Sequence, residues 1–176
     1  VIKPLANKKN ITFNIYKKNI IHNDIETDRL KLVQVFTNVI SNSVKYTNDG
    51  GLVTFLIKEL PSESTRVGKY EFIIEDNGIG MSKDFLNDIF LPFAREKDKV
   101  KDIQGTGLGM PIAKNIIDLL GGTIDVESEE NKGTKFTIRF DFGIVNDSVK
   151  VVTQDTSMDN DLDLGGKRVL VVEDNE

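Results

Sequence analysis

At 176 residues and 39% hydrophobic content, the chain is long enough for one domain with a real core and short for two. It has no cysteine, which excludes disulfides and thiolate metal sites and fits a reducing compartment such as the cytoplasm. A formal net charge of −5 argues against nucleic acid as a partner, and the apolar runs are too short for direct membrane contact by a spanning helix.

The first residues do not read as a signal peptide. Residues 11–16 alternate apolar and polar side chains and read as a strand, and residues 20–25 read as a second. Asp28 suits a helix N-cap, and the helix runs to about Thr47, stopping at the turn signal Asn48-Asp49-Gly50-Gly51. Residues 52–60 form a strand and 61–68 a polar loop. Residues 70–75 form another strand, with Tyr70, Phe72 and Ile74 on one face. Ser82 caps a short helix toward Phe90, and residues 91–107 are charged and aperiodic. The next helix holds Pro111 in its first turn and ends at the C-cap signal Gly121-Gly122. Residues 123–127 and 134–142 make a hairpin around Asn131-Lys132-Gly133. Residues 143–166 turn acidic and polar and read as a linker, and residues 167–176 are an apolar strand closed by Glu173 and Asp174.

Four motifs carry chemistry. On the helix of residues 28–47, a rotation of about 100° per residue puts Gln34, Asn38, Asn42 and Lys45 on one face. Leu32, Val33, Phe36, Val39, Ile40 and Val44 fall on the other, which packs on a sheet. Two carboxamides and an ammonium suit magnesium and phosphate oxygens, and the plain alternative is a solvated helix face. The run Asp76-Asn77-Gly78-Ile79-Gly80 sets a carboxylate at a strand end. Asp76 can accept from the exocyclic amine of adenine, where guanine carries a carbonyl. Gly78 and Gly80, without Cβ atoms, let backbone approach the base, and the plain alternative is a tight turn. In Phe90-Leu91-Pro92-Phe93-Ala94-Arg95, Phe90 and Phe93 are apolar anchors, with a core position fitting Phe90 better, and Arg95 suits a terminal phosphate. Gly105-Thr106-Gly107-Leu108-Gly109-Met110 exposes N–H groups just before a helix N-terminus, a favourable place for phosphate, with a spacing that is neither the P-loop nor the dinucleotide fingerprint. Together, in this order, the four supply different parts of one nucleotide site and point to ATP.

These residues resemble the catalytic and ATP-binding domain of sensor histidine kinases, members of the Bergerat-fold ATPases, over roughly residues 5–142. Residues 38–47 resemble the family's N box, 76–80 its first glycine box, 90–93 its F box and 105–110 its second glycine box. Gly133-Thr134-Lys135-Phe136 resembles its last turn. The resemblance implies an α/β (α+β) two-layer sandwich, with a mixed, mainly antiparallel sheet covered on one face by three helices. It implies ATP and Mg2+ as cofactors. Asn42 would hold the magnesium with Asn38 as helper near the phosphates, Lys45 and Tyr46 would meet phosphate and ribose or base, Asp76 would read adenine, and Arg95 would assist at the γ-phosphate. Gly78, Gly80, Met81, Phe93, Gly105, Thr106, Gly107, Leu108, Gly109, Met110 and Thr134 would complete the ATP site, with residues 91–107 as a lid.

Asn38 stands where the gyrase, mismatch-repair and heat-shock chaperone branches carry a water-activating Glu. By that departure the site should hydrolyse ATP poorly and pass phosphate elsewhere. The one histidine, His22, sits in an expected strand before Asn23, whereas the family's phosphorylated histidine lies on a long helix before an acid, so His22 reads as structural. Residues 1–10 read as the tail of a helical dimerisation and phosphoacceptor domain, and residues 167–176 resemble the first strand of a receiver domain. The implied partners are the His-containing dimerisation domain of the same kinase and a receiver domain or response regulator. The implied setting is the cytoplasm, with or without an inner-membrane anchor on the parent protein. A degenerate ATP-binding interaction module and an anti-sigma-type protein-serine kinase of the same fold remain open alternatives.

Overall fold

The computed structural model describes residues 2–96 and 106–145. The receiver-like strand, nearly all of the expected linker and Gly105 therefore lie outside the described residues. Along the chain come α1 (Ile2–Lys8), β1 (Thr12–Lys18), β2 (Ile25–Glu26), α2 (Arg29–Tyr46), β3 (Leu52–Leu60) and β4 (Val67–Asp76). After them come α3 (Lys83–Asp88), α4 (Gly109–Leu119), β5 (Thr123–Glu129) and β6 (Gly133–Ile144). The strands form one sheet in the order β1-β3-β4-β6-β2, with β5 also on β6. Only the β1–β3 pair is parallel, so the sheet is mixed and mainly antiparallel, as expected.

The two faces of the sheet differ because strand side chains alternate. On β4, Tyr70, Phe72 and Ile74 point one way, and their β6 partners Phe140, Ile138 and Phe136 point with them. This stripe is buried together with Val35, Val39 and Ile40 of α2 and Met110, Ala113 and Ile117 of α4. The other face is charged. Arg139 bridges Glu71 of β4 at 2.9 Å and Asp125 of β5 at 2.6 Å, Lys58 pairs with Glu71 at 3.1 Å, and Lys135 pairs with Glu127 at 2.9 Å.

Three expected helices are present as α2, α3 and α4, and their caps are the expected ones: Asp28 Oδ1 accepts from Lys31 N and Ser82 Oγ from Phe85 N. Among the described residues there is a fourth. The segment read as a tail is α1, which buries Ala6 and packs Leu5 on the core. Two expectations are corrected. Residues 20–24 are not a strand, and only Ile25–Glu26 pair, with Gly143 and Ile144. The reason is tertiary: Glu59 takes the Ile21 and His22 N–H groups, and the Tyr70 hydroxyl donates to the His22 carbonyl, so side chains replace a ladder. On α2, Val33 is 55% exposed, whereas Val35, which the helical-face reading leaves out, is fully buried. α2 packs on α4 as well as on the sheet, and this turns its buried arc toward Val35 and Ser43.

Candidate functional site

The site is built where the apolar stripe of β4 ends. Asp76 is the next inward position after Tyr70, Phe72 and Ile74, so the fold carries a carboxylate into the helix-covered layer, 7% exposed. It faces Thr134 across the β4–β6 register. Its Oδ1 accepts from the N–H groups of Gly78, at 3.0 Å, and Thr134, at 3.2 Å. Burial raises its pKa. The Gly78 bond, the neighbouring Ser43 hydroxyl and the Thr134 bond pull it back without cancelling that rise, and Glu75 adds a like charge. The Ser43 hydroxyl is itself buried and has no hydrogen-bond partner of normal geometry.

The C-terminal end of α2 forms the adjoining wall with Asn42, Lys45 and Tyr46. The Lys45 ammonium lies 4.9 Å from the centre of the Tyr46 ring. The Asp76–Gly80 loop is locked to this helix end, since Ile79 N donates to Tyr46 O at 3.0 Å. Here the expected role of the glycines is corrected. A Cβ on Gly78 would lie 2.4 Å from Tyr46 O, and one on Gly80 would lie 2.0 Å from Glu129 O. What these glycines admit is the protein's own backbone, and Gly80 also lines the cavity.

α4 supplies the opposite wall. Its N-cap, Leu108, gives no side-chain hydrogen bond, so the first N–H groups of the helix have no side-chain cap. Gly109 there faces Asn38, whose carboxamide oxygen would lie 3.8 Å from an added Cβ, and Asn38 Nδ2 is buried without a partner. Phe93 is corrected as well. It is no anchor, being 70% exposed with a left-handed φ of 63°. Its backbone does the work instead, since Phe93 N donates to Gly107 O at 3.1 Å. Phe90 packs partly buried against the core.

These walls enclose a cavity of about 300 Å³. Of the predicted residues it brings together Asn42, Lys45, Tyr46, Asp76, Gly80, Met81, Arg95, Thr106, Gly107, Gly109, Met110 and Thr134. Asn38, Gly78, Phe93 and Leu108 stand behind or beside its lining, and Gly105 lies outside the described residues. The lid reading extends across residues 97–105, which also lie outside them. Sequence reasoning misses Leu5, Ser41, Ser43, Ile79, Phe85, Ile89, Ala94, Glu96 and Phe136, which complete the lining. Most of these are apolar, and the signal that finds them is the core stripe of each element rather than a motif. Leu5 comes from α1, which no motif marks.

The family model for histidine kinase-, DNA gyrase B- and HSP90-like ATPases matches residues 27–144. The chain belongs to this ATPase family. The match opens beside the α2 cap and closes at the end of β6, leaving α1, β1 and β2 outside. Among its relatives is the aerobic respiration control sensor protein ArcB of Escherichia coli (strain K12). It is 33% identical over 173 residues, covering 97% of this chain and 21% of that protein. The sensor protein CiaH of Streptococcus pneumoniae (strain ATCC BAA-255 / R6) is 38% identical over 136 residues, covering 77% and 29%. The catalytic domain of histidine kinase ThkA superposes with a TM-score of 0.60 at 26% identity, over 79% of this chain and 88% of that one. The mycobacterial sensor histidine kinase MprB shares the fold, with a TM-score of 0.65 at 22% identity, over 82% and 92%. The chain spans less than a third of the length of the curated relatives it matches. Within the ATPase family, this is the ATP-binding catalytic domain of two-component sensor kinases.

Proposed function

We propose that the chain binds Mg-ATP in this cavity and passes the γ-phosphoryl group to a histidine on a separate helical dimerisation domain. From there the group is relayed to an aspartate of a response regulator or receiver domain. The observation that carries transfer over hydrolysis is the pairing of Asn38 with the α4 N-terminus. The side chain one turn before Asn42 is an amide, which cannot take a proton from water, and it faces Gly109 where phosphate would sit. Asp76 orients the base, and Lys45 and Arg95 line the same cavity. His22 is not the acceptor in this reading. It is held by Glu59, six positions along β3 from Val53, the partner of Asp76, or about 20 Å at the usual strand rise.

The metal fits the residues present. Asn42 lines the cavity and carries a carboxamide, and among the described residues no cluster of three or more His, Cys, Asp or Glu side chains offers a protein cage. Magnesium suits such a site, taking one protein oxygen alongside phosphates and water, and its contribution when bound is to neutralise phosphate charge. Asn42→Ala should therefore leave metal-free ADP binding nearly unchanged and shrink the gain in affinity on adding magnesium. An identical magnesium dependence in variant and parent would remove Asn42 from that role.

Relay to a receiver is supported by the similarity to ArcB, which extends over 97% of the chain, and by a relative named as a hybrid signal transduction histidine kinase. A cytoplasmic setting is compatible with the absence, among the described residues, of any helix long and apolar enough to cross a membrane. The deciding experiment mixes the chain with labelled ATP, magnesium and candidate His-containing hairpin domains. Acid-labile label should appear on the added domain and not on this chain. Label on His22 would overturn the reading, and acid-stable label on serine would favour the protein-serine kinase class.

A further inference from the structure

We propose that Lys9 is a positioning residue for the nucleotide site, tying the α1–β1 junction to the end of α2 that carries Lys45 and Tyr46. This rests on the site reading above and adds a control point that lies outside the matched ATPase segment.

The last carbonyls of a helix lack intrahelical partners. At the end of α2 each of them is met. Ser43 O accepts from Thr47 N at 3.0 Å and from Thr47 Oγ1 at 2.7 Å. Tyr46 O accepts from Ile79 N. The rest fall to one ammonium: Lys9 Nζ donates to Lys45 O at 2.9 Å, to Val44 O at 3.4 Å and to Thr47 O. A cation at this end of a helix also opposes the negative pole of the helix dipole. Val44 and Thr47 are buried, so the carbonyls of this turn have little water to turn to if the ammonium is removed.

Lys9 is itself fixed in place. Asn10 takes a left-handed φ of 52°, Asn10 N donates to Asn7 O and Ile11 N to Ala6 O, which closes α1 with a paired C-terminal turn. Lys9 O accepts from Gly50 N at 2.8 Å, and Thr12 N donates to Gly51 O at 2.9 Å. The junction thus grips both α2 and the turn after it. One turn before Lys9, Leu5 lines the cavity beside residues of that same helix end. The end of α2 is clamped on one side by the Asp76–Gly80 loop and on the other by Lys9. Releasing Lys9 frays the turn carrying Lys45 and Tyr46, while Asn42, a turn earlier, keeps its place.

The test uses the full chain with Lys9→Met, Lys9→Gln and Lys9→Arg, with exposed Lys8→Met as the neighbouring control and Asp76→Asn as the check on the site itself. ATP affinity is titrated well below the melting temperature, with the folded fraction measured for each protein. Lys9→Met should weaken ATP by about three- to tenfold in the folded molecules. Lys9→Arg should recover most of the loss, and the fold-gain from magnesium should stay as in the parent. The Ile79 amide resonance should shift in Lys9→Met without nucleotide, because its acceptor, Tyr46 O, has moved. In the unaltered chain, the Gly50 and Ile11 amides should exchange more slowly once ATP is bound, which tests the coupling even if the variants fold poorly. A lowered melting temperature with unchanged ATP affinity, or unchanged exchange at Gly50 and Ile11, would reduce Lys9 to a helix cap and overturn the inference. If Asp76→Asn leaves ATP affinity untouched, it is the site reading that fails instead.

Discussion

Asp76 and Glu59 lie toward opposite ends of the β3–β4 pair, 7% and 6% exposed, and their surroundings drive them in opposite directions. Burial raises both carboxyls. At Glu59 that effect is outweighed by the His22 N–H, the His22 ring and the Ile21 N–H, and the group is held below the ordinary carboxylate range. Both of its oxygens are engaged. Oε2 accepts from Ile21 N at 2.6 Å and His22 N at 2.9 Å, and Oε1 lies 2.5 Å from the His22 ring. At Asp76 burial prevails, both backbone donors share Oδ1, and the nearest charge that affects it is another acid, Glu75. A buried acid supplied with donors on every side is structural. A buried acid left short of them, on a cavity wall, is poised to take a donor from a ligand.

The sharpest way to break this contrast is Asp76→Asn. Losing a charge-assisted bond to the adenine amine should cost about 1.5–3 kcal/mol, or roughly ten- to a hundredfold in ATP affinity. Stability should move the other way or not at all. A carboxyl whose folded pKa is raised weakens the fold as pH climbs from its unfolded value through its folded one, and that penalty is complete once the pH is above the folded value. Asparagine keeps an acceptor for the Gly78 and Thr134 N–H groups and removes the penalty. Calorimetric titration and thermal melts at neutral pH read both quantities. Unchanged ATP affinity, or a large drop in melting temperature, would make Asp76 the same kind of residue as Glu59.

Glu59→Ala should give the reverse pattern. It strands the Ile21 and His22 donors and should cost about 1–3 kcal/mol of stability while leaving ATP affinity as it was. The pH dependence carries the opposite sign as well. The folded pKa is lowered, so the stabilisation is present above the unfolded carboxyl value and is lost as pH falls through the folded one. Melts taken on the acid side of neutrality should therefore show the gap between parent and variant closing. A gap that stays constant with pH would mean that charge is not what Glu59 contributes.

Elements with strong local signals were legible from the residues alone: the α2 cap at Asp28, the β4 stripe ending in Asp76, and the hairpin turn at Asn131 and Gly133. What was not legible depended on contacts far apart in sequence. Residues 20–24 have strand-like composition, but Glu59 and Tyr70 claim their backbone groups. The reason for glycine at 78 and 80 lies in Tyr46 and Glu129, which no local pattern relates to them. Residues 2–8 carry no motif, and α1 matters because Leu5 reaches the cavity. Asn42 and Asp76, which residue chemistry singles out, do line the cavity, while wall positions that need only an apolar surface were not readable.

Asp76 and Glu59 are about equally buried and differ in the donors they meet, and the charged outer face of the same sheet tests whether an ion pair that stays in water contributes as a buried one does. Arg139 joins Glu71 and Asp125 across three strands, and the arrangement looks as rich in partners as Glu59. Its side chain is 46% exposed, however, and so is that of Asp125, at 64%. Pairs in water gain little, because solvent screens the attraction and both long side chains lose freedom in forming it. Arg139→Ala should therefore cost at most about 1 kcal/mol, less than Glu59→Ala despite removing two ion pairs. The cost should shrink further as salt is raised toward molar concentrations, where the screening length falls to about 3 Å. ATP affinity should not change, since Arg139 points away from the helix-covered face that holds the cavity. Denaturant melts at low and high salt measure this directly. A loss that matches or exceeds that of Glu59→Ala and persists in salt would show that charge pairing, rather than its burial, decides what an ion pair contributes in this sheet.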